Sequence, residues 1–156
     1  MTIQICQGTH SDCEAVLLVL QAAFAGQKGK ILPESGVWKE TAVSLQTKLQ
    51  TYTLFLAKDS DRIVGCVFCE PQGEKLYFGR LAVLPDQRGR GIARQLIEQA
   101  EQFGRAQRCT SVWLGVRIAL EKNVLFFQSL GYQIVSKQAH PGFEHPTFYT
   151  MTKPLT

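Results

Sequence analysis

The chain has 156 residues, 45% of them hydrophobic and 19% charged, with a formal net charge of +4. That length suits a single domain, residues 1–156, around one sizeable core. No apolar run approaches the roughly 20 residues of a membrane helix, and residues 1–8 lack the basic start and apolar block of a signal peptide. Residues 80–117 carry seven arginines against Asp86, Glu98 and Glu101. That excess suits a small polyanionic ligand. A nucleic-acid surface would show denser Lys/Arg with interleaved aromatics.

In chain order, residues 2–6 alternate and predict a strand. Ser11-x-x-Glu14 has the form of a capping box, opening a helix to about Ala25. Residues 26–36, with glycines, Lys28, Lys30 and Pro33, predict a flexible loop. Trp38, Ala42, Leu45 and Leu49 stand at helical spacing. Residues 52–58 and 62–70 predict a hairpin around Asp59-Ser60-Asp61. Residues 76–84 are apolar and β-prone. From Ile92 the apolar positions recur at helical spacing through Leu96, Ala100 and Phe103 to about Gln107. Ser111–Arg117 predicts a strand, residues 120–130 a short helix stopped by Gly131, and residues 132–137 and 147–153 the last two strands.

Five cysteines give no disulfide framework. Cys66 and Cys69 resemble a Cys-x-x-Cys pair, but on a strand residues three apart face opposite sides. His10 and Cys13 complete no zinc set. The expectation is reduced thiols in a cytoplasmic protein without a metal.

The stretch 76–107 carries most information. A strand feeds a helix through a turn rich in Arg and Gly. The first N–H groups of that helix lack partners, and together with the helix dipole they attract anions. Gly89 and Gly91 let a ligand approach the backbone; Arg88, Arg90 and Arg94 add charge. This is a pyrophosphate cradle in physical terms. It is not a P-loop, which ends in Gly-Lys-Ser/Thr. Nor is it a dinucleotide fingerprint, because Arg94 occupies the sixth position and no acid follows about 20 residues on.

Arg88-Gly89-Arg90-Gly91-Ile92-Ala93, preceded by Leu81-Ala82-Val83-Leu84-Pro85, resembles the Arg/Gln-x-x-Gly-x-Gly/Ala signature of the GNAT superfamily of N-acetyltransferases. The predicted order β-α-α-β-β-β-α-β-α-β-β is similar to that fold over nearly the whole chain. The resemblance implies an α/β (α+β) architecture: a mixed, mostly antiparallel sheet of about seven strands flanked by about four helices. It implies acetyl transfer from acetyl-CoA to the primary amine of a small-molecule or peptide acceptor, by direct attack in a ternary complex.

Backbone N–H groups of Arg88, Gly89, Arg90, Gly91, Ile92 and Ala93 would then hold the pyrophosphate, with Arg94 assisting. Leu81, Ala82 and Val83 would pair with pantetheine and polarise the thioester carbonyl. The same resemblance implies that the strand ending at Val83 splays from Ser111–Val116, and that the helix ending near Ala25, the helix of Trp38 to Leu49 and the loop 26–36 between them cover the acceptor. Asn123 would reach the pantetheine.

The sequence departs from the family's pattern where proton transfer is expected. Tyr77 stands where many members carry a Glu base, with Glu70 and Glu74 nearby. Phe127, without a proton to give, stands at the usual Tyr acid. His140 in the loop before the last strand, near Glu144, His145 and Tyr149, is a second candidate base. Arg117 could meet an acidic acceptor or pair with Glu121. These departures keep a non-catalytic acyl-CoA sensor as an alternative, and a nucleotide-binding domain as a third class. Dimerisation is common in such proteins, but no interface patch stands out.

Overall fold

The computed structural model describes residues 2–156. Seven strands form one sheet: β1 (Ile3–Gln7), β2 (Thr53–Asp59), β3 (Arg62–Gln72), β4 (Lys75–Val83), β5 (Ser111–Arg117), β6 (Gln133–Gln138) and β7 (Phe148–Pro154). Their order is β1-β2-β3-β4-β5-β7-β6. Every neighbouring pair is antiparallel except β4 and β5, which run parallel. The α-helices are α1 (Cys13–Phe24), α2 (Ala42–Lys48), α3 (Ile92–Ala106) and α4 (Glu121–Ser129). The mixed, mostly antiparallel sheet with four helices is the architecture expected from the sequence.

The central strands read as continuous apolar runs because both their faces are covered. Leu54, Leu56, Cys66 and Phe68 pack with Val16 and Leu20 of α1 and Leu45 of α2. The intervening residues Phe55, Val67, Cys69 and Phe78 pack with Ile92, Leu96 and Ala100 of α3. Cys66 and Cys69 therefore belong to opposite cores. Burial pushes each of their thiols up to about 12, so both are inert at neutral pH.

Two helix starts differ from the sequence expectation. The capping contact before α1 lies earlier than Ser11-x-x-Glu14: Thr9 N–H donates to Asp12 Oδ2 at 2.8 Å. A 3-10 turn, His10–Asp12, then leads into α1. Trp38 is not part of α2 but of a separate 3-10 turn, Gly36–Lys39, after which Glu40 is extended. The helix opens at Thr41, whose Oγ1 accepts from Ser44 N–H at 3.0 Å while Ser44 Oγ accepts from Thr41 N–H at 2.8 Å. This reciprocal cap fixes a start one turn later than the apolar spacing implies.

Strand β4 carries the decisive irregularity. It pairs with β5 only at Lys75↔Ser111, Leu76↔Val112 and Tyr77↔Trp113. On its other edge Gly79 pairs with Phe68 and Ala82 with Cys66. Arg80 and Leu81 therefore stand opposite Val67 alone, which is a β-bulge. Arg80 takes the left-handed conformation, φ 52°, rare for a residue with a Cβ. A bulge bends its strand, and beyond it β4 has left β5.

Candidate active site

Where β4 and β5 part, a groove of about 1040 Å³ opens. From the bulge onward β4 has a strand partner in β3 and none on the β5 side. At the end of β4 the groove meets the turn into α3. Pro85–Gln87 forms a 3-10 turn, and Gly89 and Gly91 then adopt φ 82° and 76°. Any Cβ would be strained there, though it would meet nothing within 4 Å. The glycines thus leave open space over the backbone. The first bond of α3 runs from Gln95 N–H to Gly91 O at 3.1 Å, and no side chain caps Gly91. The N–H groups of residues 91–94 lie at the positive end of a 15-residue helix dipole. This chemistry fits a pyrophosphate.

Every cofactor-binding residue expected from the sequence lines this groove except Arg90. Arg90 turns away: Nη1 donates to Asp59 Oδ2 at 3.1 Å, and to Gln87 Oε1. It ties the turn to the β2–β3 hairpin instead of serving a ligand. Arg88 Nη2 donates to the carbonyl of Ala23 at 2.9 Å, completing the last turn of α1. Arg94 is exposed on the groove and belongs to none of the five ion pairs among the described residues. Asn123, in the first turn of α4, is exposed on the same wall.

The opposite end lies on the other face of the sheet. In β5, Val112, Leu114 and Val116 enter the α3-side core, so Trp113, Gly115 and Arg117 face away from α3. Tyr77 shares this face. Its ring lies 4.6 Å, centroid to centroid, from Trp113 and 6.3 Å from Tyr52. Burial raises the Tyr77 phenol above its ordinary pKa; Arg80 opposes that and Glu70 reinforces it. Tyr77 therefore keeps its proton at neutral pH.

His140 also lines the groove. Its ring packs 4.8 Å from that of Phe148. Its backbone N–H donates to Thr147 Oγ1 at 3.0 Å, and Nδ1 bonds the same hydroxyl. Burial and the nearby Arg117 charge lower its pKa, so the imidazole is neutral at pH 7 and can accept a proton.

Arg117 does not pair with Glu121. Its Nη1 donates to Pro33 O at 2.6 Å and its Nη2 to Glu34 O at 3.5 Å. This seats the 26–36 segment over the groove. Glu70, Glu74, Glu144, His145 and Tyr149 are not on the groove wall. Phe127 is on it, packed against Phe78, Phe126 and Tyr132.

Sequence reasoning missed Trp113, Phe148 and Thr147 as site residues. The alternation of β5 marks the face of Trp113, but the partners of His140 needed the fold. It also missed Glu40. Arg80 Nε donates to Glu40 Oε2 at 2.9 Å, and Lys48 Nζ lies 3.6 Å from the same oxygen. Burial alone would raise the Glu40 carboxyl. Hydrogen bonds from Ser44 and Arg80, with the Lys48 and Arg80 charges, bring it below its ordinary value. The pair anchors the bulge residue to the segment before α2.

Among the described residues, no group of three or more His, Cys, Asp or Glu side chains is placed to hold a metal ion, and no helix is long and apolar enough to cross a membrane. A family model described as "Acetyltransferase (GNAT) family" matches residues 22–132. Among solved structures, the PaiA N-acetyltransferase of Thermoplasma acidophilum, in complex with coenzyme A, superposes with a TM-score of 0.87 at 16% identity, over 99% of each chain. The ribosomal-protein-S18-alanine N-acetyltransferase of Escherichia coli gives 0.80 at 17% identity, over 99% of this chain and 95% of the other. A probable acetyltransferase from Staphylococcus epidermidis gives 0.82 at 14%, over 99% and 100%. At these identities the superpositions speak for the fold alone.

Proposed function

Because this chain belongs to the GNAT acetyltransferase family, we propose that it transfers an acetyl group from acetyl-CoA to a primary amine by direct attack in a ternary complex. The observation that carries this reading is the parting of β4 from β5 beside an uncapped helix N-terminus. One feature offers a strand edge to an amide-bearing arm, and the other a cradle for its pyrophosphate.

Bound acetyl-CoA supplies an activated acyl carbonyl and a thiol leaving group. Residues 88–93 hold the pyrophosphate through backbone N–H groups, with the Arg94 charge beside them. Leu81, Ala82 and Val83 offer backbone groups to the pantetheine amides, and an N–H at this strand end polarises the carbonyl. Asn123 stands beside the same arm.

The acceptor approaches from the face of Tyr77, Trp113 and His140. Both groups with proton chemistry on this wall are in the state their role needs. Neutral His140 takes the proton the amine loses as the N–C bond forms. Its Nδ1 is bonded to Thr147 Oγ1, so Nε2 faces the amine, and it accepts the proton in the tautomer that carries its hydrogen on Nδ1. The protonated phenol of Tyr77 provides a proton for sulfur as the S–C bond breaks, the task Phe127 cannot perform.

A thermal-shift panel with acetyl-CoA, CoA, ATP and NAD tests the ligand. At about 100 times Kd, a ligand specific to the native state stabilises by about 2.7 kcal/mol. Stabilisation by the two CoA species alone is expected, followed by amine-dependent thiol release. No response to either CoA species overturns the reading. CoA binding without turnover over a broad amine panel leaves a CoA-binding module, the alternative class.

A further inference from the structure

The charged side chains on the groove wall are all cationic: Arg80, Arg88, Arg94 and Arg117. Among the described residues, no aspartate or glutamate lines it. Two of the four are already satisfied or committed. Arg80 is neutralised by Glu40 at 2.9 Å, and Arg88 is occupied at Ala23 O. Arg94 stands at the phosphate turn, on the α3 side of the sheet. Arg117 stands on the opposite face with Tyr77 and Trp113, away from the phosphate turn.

Among the described residues, Arg117 has no counter-ion. None of the five ion pairs among the described residues includes it; its hydrogen bonds go to two neutral carbonyls. Burial lowers its pKa, the mark of a charge partly removed from water. A partly desolvated cation without a partner is costly. Its influence reaches His140, which it helps hold neutral. Two guanidinium donors are engaged and the remaining N–H groups are not, so the fork can still receive a carboxylate. Phe148 of β7 is the cross-strand partner of Arg117, and Tyr77 and Trp113 line the same groove further along the strands.

We infer that the acceptor is a small amine bearing a carboxylate, of the α-amino-acid class, whose anionic group binds Arg117 while its side chain lies against Tyr77, Trp113 and Phe148. Polycationic amines would meet uncompensated positive charge and no acid. This rests on the acetyltransferase reading above and specifies its acceptor.

The test uses matched pairs on the wild-type enzyme: L-phenylalanine with phenethylamine, and L-leucine with isoamylamine, with spermidine as the polycation arm. The carboxylated member of each pair is expected to give at least tenfold higher kcat/KM, and spermidine the lowest. In Arg117→Gln the ratio of carboxylated to decarboxylated kcat/KM is expected to fall at least tenfold. Stabilisation by CoA in the thermal-shift assay reports that this variant is folded with its cofactor cradle intact. Should Arg117→Gln not fold, the wild-type ratios alone decide.

Preference for spermidine overturns the inference, as does an equal loss on both members of a pair. So does failure of every carboxylated amine to turn over while CoA still binds. Loss of CoA binding by the wild type is a separate outcome. It removes the acetyltransferase reading itself, and the acceptor inference with it.

Discussion

The ring of Tyr77 lies along β4 directly over Gly79: a Cβ built at residue 79 would come within 3.0 Å of Tyr77 Cζ and closer still to its hydroxyl. The two residues are on one face of the strand, two apart, and the missing side chain at 79 lets the phenol lean toward the bulge. Gly79→Ala should therefore push the ring out of place while the cores on either side stay packed. The expected result is a kcat reduced about tenfold or more with little change in KM for acetyl-CoA. Tyr77→Phe keeps the ring and removes the proton; general acid–base groups are worth about 10²–10⁴ in rate, and a loss near the lower end is expected. Steady-state kinetics of both variants decide. An unchanged kcat in Tyr77→Phe would leave Tyr77 as packing only.

The His140–Arg117 relationship is electrostatic and can be read directly. Burial first and the Arg117 cation second destabilise the imidazolium, so His140 titrates below its ordinary 6.5. The acidic fall in kcat/KM through this base should lie below that pH. Removing the cation in Arg117→Gln favours protonation, so the pKa should rise toward 6.5. Proton NMR titration of the imidazole C2–H in both proteins measures the shift. A downward or absent movement would show that Arg117 does not act on His140.

Much of this was visible in the chain because periodicity and turn chemistry are local. The stripe Ile92, Leu96, Ala100 is buried as its spacing requires, and Gly89 and Gly91 are left-handed as a ligand-bearing turn demands. What escaped was set by distant pairing. The bulge at Arg80 depends on register against Phe68 and Cys66. Arg117 finds its acceptors 83 and 84 residues away, so its i+4 neighbour Glu121 was the only partner spacing could suggest. Trp38 fell at helical spacing with Ala42 and Leu45, but the Thr41–Ser44 cap overrode the pattern. Arg90 carried the right charge in the right motif, yet Asp59 claimed its side chain.

The phosphate cradle makes a specific claim on Gly91. At φ 76° with open space around it, Gly91→Ala meets no steric clash, so its cost is backbone strain alone, about 1–2 kcal/mol. A new methyl in that space also obstructs the approach of a phosphate. CoA affinity should fall about tenfold or more, measured by calorimetry, beyond what the modest drop in melting temperature explains. Arg90→Ala is the contrast. It loses the tie to Asp59 at 3.1 Å but no ligand contact, so CoA affinity should change much less than in Gly91→Ala. Comparable losses in the two variants would overturn the assignment of Arg90 to a structural role.

Behind the groove, Tyr132 gives its hydroxyl to Glu101 Oε2 at 2.8 Å, and Lys153 Nζ holds both Glu101 oxygens at 3.1 and 3.2 Å. Glu101 is 6% exposed, so the three form one ionic network stitching α3 to the segment after α4 and to β7. Removing a hydrogen bond to a buried charge costs about 1.5–3 kcal/mol, the loss expected for Tyr132→Phe in urea denaturation. Burial, the Glu101 hydrogen bond and the Glu101 charge all raise the phenol's pKa above its ordinary 10.0. A raised folded pKa means that the unfolded chain releases its proton first as pH climbs. The stability tied to Tyr132 is therefore fully present below about pH 10 and declines above it. Tyr132→Phe should be less stable at pH 7 yet show a shallower loss between pH 10 and 11. Parallel pH profiles for the two proteins would mean that the phenol is not coupled to Glu101.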